Sequence, residues 1–282
     1  VSARVALAAA VTAAIAGLTA CGGGVSKPDF VAKADGSCGA GNGVLAAIAP
    51  PTNLPELATA AGTVATTVEG QADALRKLDV PGDDKGVVAG VIASLAEVAA
   101  PARALQGAAG GTDDAATARA ANDLRAKADA AAVQARSYGL AVCGQAPVTK
   151  VLDGARTVLK AAFVARAESL CAAANRKAEA LAEPTSLASA GRYLAAYVPI
   201  EEKLFADIRA LAVPPGDEPA LADMLGAQDR VIAKDKERLA AAQARNQAAY
   251  DRAEEEESTL VVAANAKFDA YGLRSCGTLS AF

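Results

Sequence analysis

The sequence predicts an all-α protein built as two tandem antiparallel four-helix up-down bundles, each closed by a disulfide. Three observations predict it. The 282 residues are 52% hydrophobic, yet only 4% are aromatic and Trp is absent; the chain is alanine-rich, and alanine is the strongest helix former. One pattern is written twice, 133 residues apart: Tyr138-Gly139-Leu140-Ala141-Val142-Cys143-Gly144 returns as Tyr271-Gly272-Leu273-Arg274-Ser275-Cys276-Gly277, and Phe30 to Asp35 followed by Cys38 returns as Phe163 to Glu168 followed by Cys171. Four cysteines therefore fall as two equally spaced pairs, Cys38 with Cys143 and Cys171 with Cys276.

The first unit is expected over residues 28–144. Ser26-x-x-Asp29 is a capping-box-like start with Pro28 tolerated in the first turn, and Pro50-Pro51 ends that helix after about Ile48. Gly36, Gly39, Gly41 and Gly43 predict it to be weak or broken, since an interior glycine costs about 1 kcal/mol against alanine. A second helix is expected from about Leu54 to Leu78, stopped by Val80-Pro81-Gly82. Asp83 and Asp84 favour a helix start, and Val87, Val91, Ile92, Leu95 and Val98 are read as the apolar stripe of the third helix, with Pro101 as a kink. Gly110-Gly111-Thr112 reads as a turn with an N-cap, and the fourth helix, Asp113 to Tyr138, ends at Gly139.

After a linker of about 144–152, the second unit spans 153–282, with Asp153 to Ala162 as a backward extension of its first helix. Pro184-Thr185-x-Leu187 repeats Pro51-Thr52-x-Leu54, and Val213-Pro214-Pro215-Gly216-Asp217-Glu218 repeats Val80 to Asp84 with one inserted proline. That alignment sets Leu221, Leu225 and Ile232 opposite Val87, Val91 and Val98. Gly139 and Gly272 suit a left-handed helix end with Leu140 and Leu273 folded back. The end of a fourth helix lies beside the start of a first one, so both disulfides are within reach, and the duplicated spacing selects this pairing among the three open to four cysteines. Asn42 and Asn175 are expected to bond backbone in the closing segments.

Composition narrows function. His is absent, which removes the commonest general base and metal ligand, so no catalytic set and no metal site is expected. The net charge is −4 with no basic face, so nucleic acid is not an expected partner. Gly39-x-Gly41-x-Gly43 lacks the strand and the Gly-Lys-Ser/Thr element of a phosphate loop, and no cofactor is expected. Lys234 to Arg238 and Asp251 to Glu257 read as a solvated charged face, because consecutive glutamates on a helix diverge. Pro199 stands between Tyr193 and Tyr197 on one side and Glu201 and Glu202 on the other; a kink there would open a pocket, which makes these four residues the candidate ligand site.

Residues 1–20 have one charge, Arg4, and an apolar run from Val5 to Leu18, the make-up of a signal peptide. Leu18-Thr19-Ala20-Cys21-Gly22 resembles the lipobox of bacterial lipoproteins. The resemblance implies cleavage before Cys21, a lipid on its thiol, and residues 21–27 as a tether to the membrane. The duplicated pattern also resembles helical domains of exported proteins from high-GC Gram-positive bacteria. The expectation is an extracytoplasmic, membrane-anchored, non-enzymatic binding or structural module, with an envelope protein or a small molecule as partner. The alternative is a carboxylate-dependent enzyme outside the cell; Glu201 and Glu202 diverge by about 100° on a helix, so it would need carboxylates from a second helix.

Overall fold

Prolines, glycines and short polar side chains punctuate the chain, and the helices begin and end at these residues. The computed structural model describes residues 24–111, 113–145 and 147–278, and all regular structure among them is helical. In order these are α1 (Lys27–Ala46), α2 (Leu54–Arg76), a 3-10 turn at Gly82–Asp84, α3 (Lys85–Glu97), α4 (Ala99–Gly110), α5 (Asp114–Tyr138), α6 (Thr149–Glu179), α7 (Leu187–Arg209), α8 (Glu218–Gln243), α9 (Gln247–Tyr271) and a 3-10 turn at Cys276–Thr278. Side-chain oxygens of Ser26, Asn53, Asp113 and Asn246 accept from backbone N–H groups three residues on, and Ser186 with Ser189 forms a capping box. The expected cap at Thr112, the signal segment and Cys21 lie outside the described residues.

Two expectations about the first helices are corrected. Despite its glycines, α1 is unbroken, because packing outweighs propensity. One of those glycines is needed: a methyl group at Gly41 would overlap the amide of Gln71, which donates to the Cys38 carbonyl at 2.9 Å and to Asn42 Oδ1 at 3.1 Å. Val87 is 54% exposed while Val88 is buried, so the stripe of α3 runs one residue later than the sequence reading placed it. Pro101 behaves as expected. It has no N–H for the Glu97 carbonyl, and the regular helix is interrupted at Val98, between α3 and α4.

The stretch read as a linker is instead the approach to a long helix. From Thr149, α6 runs without interruption to Glu179, and its first turns pack between α2 and α5. Val148, Val151, Leu152 and Ala155 are buried with the side chains of α1 to α5. A methyl at Gly154 would overlap Pro51, the Lys150 ammonium donates to the Ala46 carbonyl at 2.6 Å, and Arg166 pairs with Asp114 at 2.9 Å. A second buried cluster joins the later turns of α6, from Phe163 onward, to α7, α8 and α9.

Disulfides tie Cys38 to Cys143 and Cys171 to Cys276, each across a sequence separation of 105. On the chain-entropy account, closing loops of this length stabilises by about 4–5 kcal/mol each. Positions 133 apart keep the same partners. The Tyr138 hydroxyl donates to Asp84 and that of Tyr271 to Asp217, both at 2.8 Å. Phe30 meets Tyr138 edge-on as Phe163 meets Tyr271, and Asn42 and Asn175 each donate to the closing segment, to the Val142 and Ser275 carbonyls, at 2.9 Å. Because Asp84 and Asp217 are still 133 apart, no proline is inserted. Leu221 therefore matches Val88, and Met224 matches Val91; all four are buried.

The closing phrase works as its glycines imply. Gly139 has φ 108° and Gly272 φ 104°, and the next residues, Leu140 and Leu273, donate back to the Ala135 and Phe268 carbonyls at 3.0 and 2.8 Å. The Asp35 carboxylate then accepts from the backbone N–H groups of Ala141, Val142 and Cys143, at 3.1, 2.9 and 3.1 Å, and Glu168 accepts from Ser275 N–H at 3.0 Å. Replacing Asp35 by Ala strands three donors beside the disulfide. Denaturant titration should show a loss of about 1.5 kcal/mol, and an unchanged midpoint would mean that water serves these donors equally well.

Candidate functional site

A column of polar side chains runs through the second buried cluster. On α7, Tyr193, Tyr197 and Glu201 follow one another at intervals of four and so share a face; all three are buried. Opposite them α8 carries Gln228, Asp235 and Arg238, and α9 carries Tyr250, Glu254 and Glu257. Arg238 is 1% exposed. Its guanidinium donates to Asp235 at 3.2 Å, Glu257 at 3.0 Å, Glu254 at 2.9 Å and the Tyr250 hydroxyl at 3.0 Å. It also lies over the Tyr250 ring, 5.2 Å from its centre. The Gln228 amide donates to Glu201 Oε1 at 2.6 Å.

Three buried carboxyl groups thus face one buried guanidinium, and the charges do not balance. Glu201 is raised well above the usual carboxylate range, first by burial and then by the charge of Asp235. Burial also raises Asp235, against the pull of Arg238, and pushes Glu257 up to about 7 with help from Asp235. Burial opposes the charge on Arg238, but Tyr250, Glu257 and Asp235 outweigh it and the guanidinium stays charged. No N–H or hydroxyl donor reaches Glu201 Oε2 or Asp235 Oδ2, although the two carboxyl groups are in hydrogen-bond contact. One proton shared between the two groups would let one carboxyl donate to the other and would remove one of the surplus charges.

The first half shows that the architecture does not require this column. Moving back 133 residues, Glu201 becomes Val68, Gln228 becomes Leu95, Asp235 becomes Ala102, Arg238 becomes Leu105 and Glu257 becomes Leu124, every one of them buried. Tyr193 and Tyr197 become Ala60 and Val64. Buried ion pairs rarely stabilise a fold more than apolar side chains of the same volume, so this set has a cost in stability that the matching half avoids.

The column reaches the surface where α7 and α9 begin. There Pro184, Leu187, Ala190, Gln247 and Tyr250, with Glu183 and Glu254 beside them, line an open groove of about 470 Å³. Glu254 and Tyr250 belong both to the groove wall and to the shell of Arg238.

Of the four residues singled out in the sequence, Tyr193, Tyr197 and Glu201 come together in the column. Glu202 does not: it points to solvent and pairs with Lys236 at 2.6 Å. Helix α7 continues through Pro199, and the groove beside that proline, about 220 Å³ against Lys177, Ile200 and Lys203, lies away from the two tyrosines. The reading of Lys234 to Arg238 and Asp251 to Glu257 as a solvated face holds for Glu255 and Glu256, and fails for Asp235, Arg238 and Glu257. Their signal was present in the phase of α8, whose buried residues Leu221, Met224, Gln228, Val231, Asp235, Arg238 and Ala242 recur every three or four positions. Among the described residues no cluster of carboxylates and cysteines is arranged to hold a metal ion. Compared with protein-family models, curated proteins and solved structures, the chain matches none.

Proposed function

We propose that this chain is an extracytoplasmic lipoprotein, anchored through Cys21, in which two tandem four-helix bundles present a non-enzymatic binding site at the cell envelope. On this reading the first bundle is a spacer of apolar core, and the second is the bundle that binds. The observation that carries it is the exchange of Val68, Leu95, Ala102, Leu105 and Leu124 for Glu201, Gln228, Asp235, Arg238 and Glu257 at matching buried positions. Such groups disfavour stability, and through Arg238, which bonds Tyr250 and Glu254, their column reaches an open groove. The two disulfides suit an oxidising compartment. The carboxylate pair Glu201 and Asp235 is the one feature that favours a hydrolytic reading, but at 1% and 0% exposure it has no access to a substrate.

Two measurements in intact cells test the proposal. Labelling with an alkyne-bearing fatty acid should mark the protein and be lost in Cys21→Ser; a label that survives the substitution would rule out the anchor. Cross-linking should join the native protein to an envelope component. A folded variant with the five polar core residues replaced by apolar ones should lose that product, and an unchanged product would remove the second bundle from the binding role.

A further inference from the structure

Matching grooves at the two ends of the chain differ in one respect: the first is filled. The first half has Pro51, Leu54, Leu57, Asp114 and Thr117 where the second has Pro184, Leu187, Ala190, Gln247 and Tyr250. Between α2 and α5 the first half holds the opening turns of α6. Gly154 abuts Pro51, Val151, Leu152 and Ala155 are buried, and Lys150 reaches the carbonyl end of α1. Between the starts of α7 and α9, the second half leaves the corresponding space open. A helix is thus the occupant for which this framework already has a seat.

Charge narrows the occupant. From Pro147 to Ala162 the segment that fills the first groove is net basic: Lys150 faces the end of α1, Arg156 and Lys160 turn outward to Asp217 at 2.5 and 3.8 Å, and Asp153 is the single acid. The open groove is lined by Glu183 and Glu254 and by no basic side chain. The carbonyl end of α6 at Glu179 stands where the end of α1 receives Lys150, and helix C-termini favour cations. We infer that the open groove is the docking site for a basic amphipathic helix of a partner protein, one with a glycine or alanine where it crosses Pro184. This inference rests on the second bundle being the one that binds, but it is carried by the filled groove of the first half and not by the polar column.

The chain supplies its own probe. A labelled synthetic peptide of residues 147–162 is titrated against the purified full chain by fluorescence anisotropy. Saturable one-to-one binding that weakens with added salt is expected. Glu183→Lys and Gln247→Trp alter exposed positions at the groove and should each weaken binding at least about tenfold. A peptide with Gly154→Leu should lose it. Absence of saturable binding, undiminished affinity in both variants, or peptide-induced loss of hydrogen-exchange protection in α2 and α5, which would mean displacement of α6 from the first groove, would each overturn the inference. Such a failure leaves the cross-linking result with the five-residue variant standing on its own.

Discussion

Replacing Arg238 by Met alone should destabilise the second half by about 3–5 kcal/mol, the usual result of removing one partner from a buried ion cluster. Met matches most of the volume of Arg, so the loss does not come from a cavity. It comes from Asp235 and Glu257, which stay buried after their cation has gone, and from the Tyr250 hydroxyl and Glu254, which lose a donor. Replacing the whole set together has the opposite sign. With Glu201→Leu, Gln228→Leu, Asp235→Val, Arg238→Met and Glu257→Leu, stability should be unchanged or raised by up to about 4 kcal/mol, because no charge remains to be desolvated. Volume-matched side chains are chosen over copies of the first half, whose smaller residues pack without the Tyr and Phe rings found here. Hydrogen exchange read separately on α8 and α9 and on α2 and α5 locates the change in one half. A harmless Arg238→Met would mean that water reaches the column and that the carboxylates are not sealed in.

Much of this arrangement can be read from the residues, and the part that cannot has a definite cause. Helix ends were legible because proline, glycine and capping side chains act locally: Asn53, Gly139 and Gly272 need only their neighbours. The disulfides and the bonds of Asn42 and Asn175 were legible because the sequence states each of them twice. What was missed traces to a single residue of register. Treating Pro215 as an insertion set Leu221 opposite Val87, which is exposed, and concealed that the charged run of α8 falls on positions the first half fills with Leu95, Ala102 and Leu105. Charge also overrode phase, since Asp235 and Arg238 lie on the apolar stripe by spacing and look solvated only by residue type. The backward extension of α6 was legible from Asp153 on, but not its start at Thr149 or its seat, where Pro51 leaves no room for a side chain at Gly154.

Between pH 5 and pH 8.5 the second half should lose about 2–4 kcal/mol of stability while the first changes little. The folded chain holds Glu201 and Glu257 above the ordinary carboxylate range, Glu257 at about 7. Near pH 5 and above, the folded state therefore binds more protons than the unfolded one. Stability from such groups is fully present below the unfolded carboxylate value and is lost as pH rises through the folded values. Burial sets the direction; Asp235 on α8 and Glu254 and Glu257 on α9 reinforce it, Arg238 on α8 opposes it, and the tyrosines of α7 carry no charge in this range. Glu201→Gln supplies a permanent donor to Asp235 in place of the shared proton, so it should flatten the decline and leave the variant more stable than the native chain at pH 8.5. Val68 and Leu124 stand at the matching places in the first half, which makes that half the control within the same molecule. Exchange rates corrected for intrinsic pH dependence, followed on α8 against α2, measure the difference directly. Parallel decline in both halves would show that the column holds no proton of its own, and an unchanged slope in Glu201→Gln would show that none sits on Glu201. A slope confined to α7, α8 and α9 would tie the stability of the second half to pH through groups that the apolar half does without.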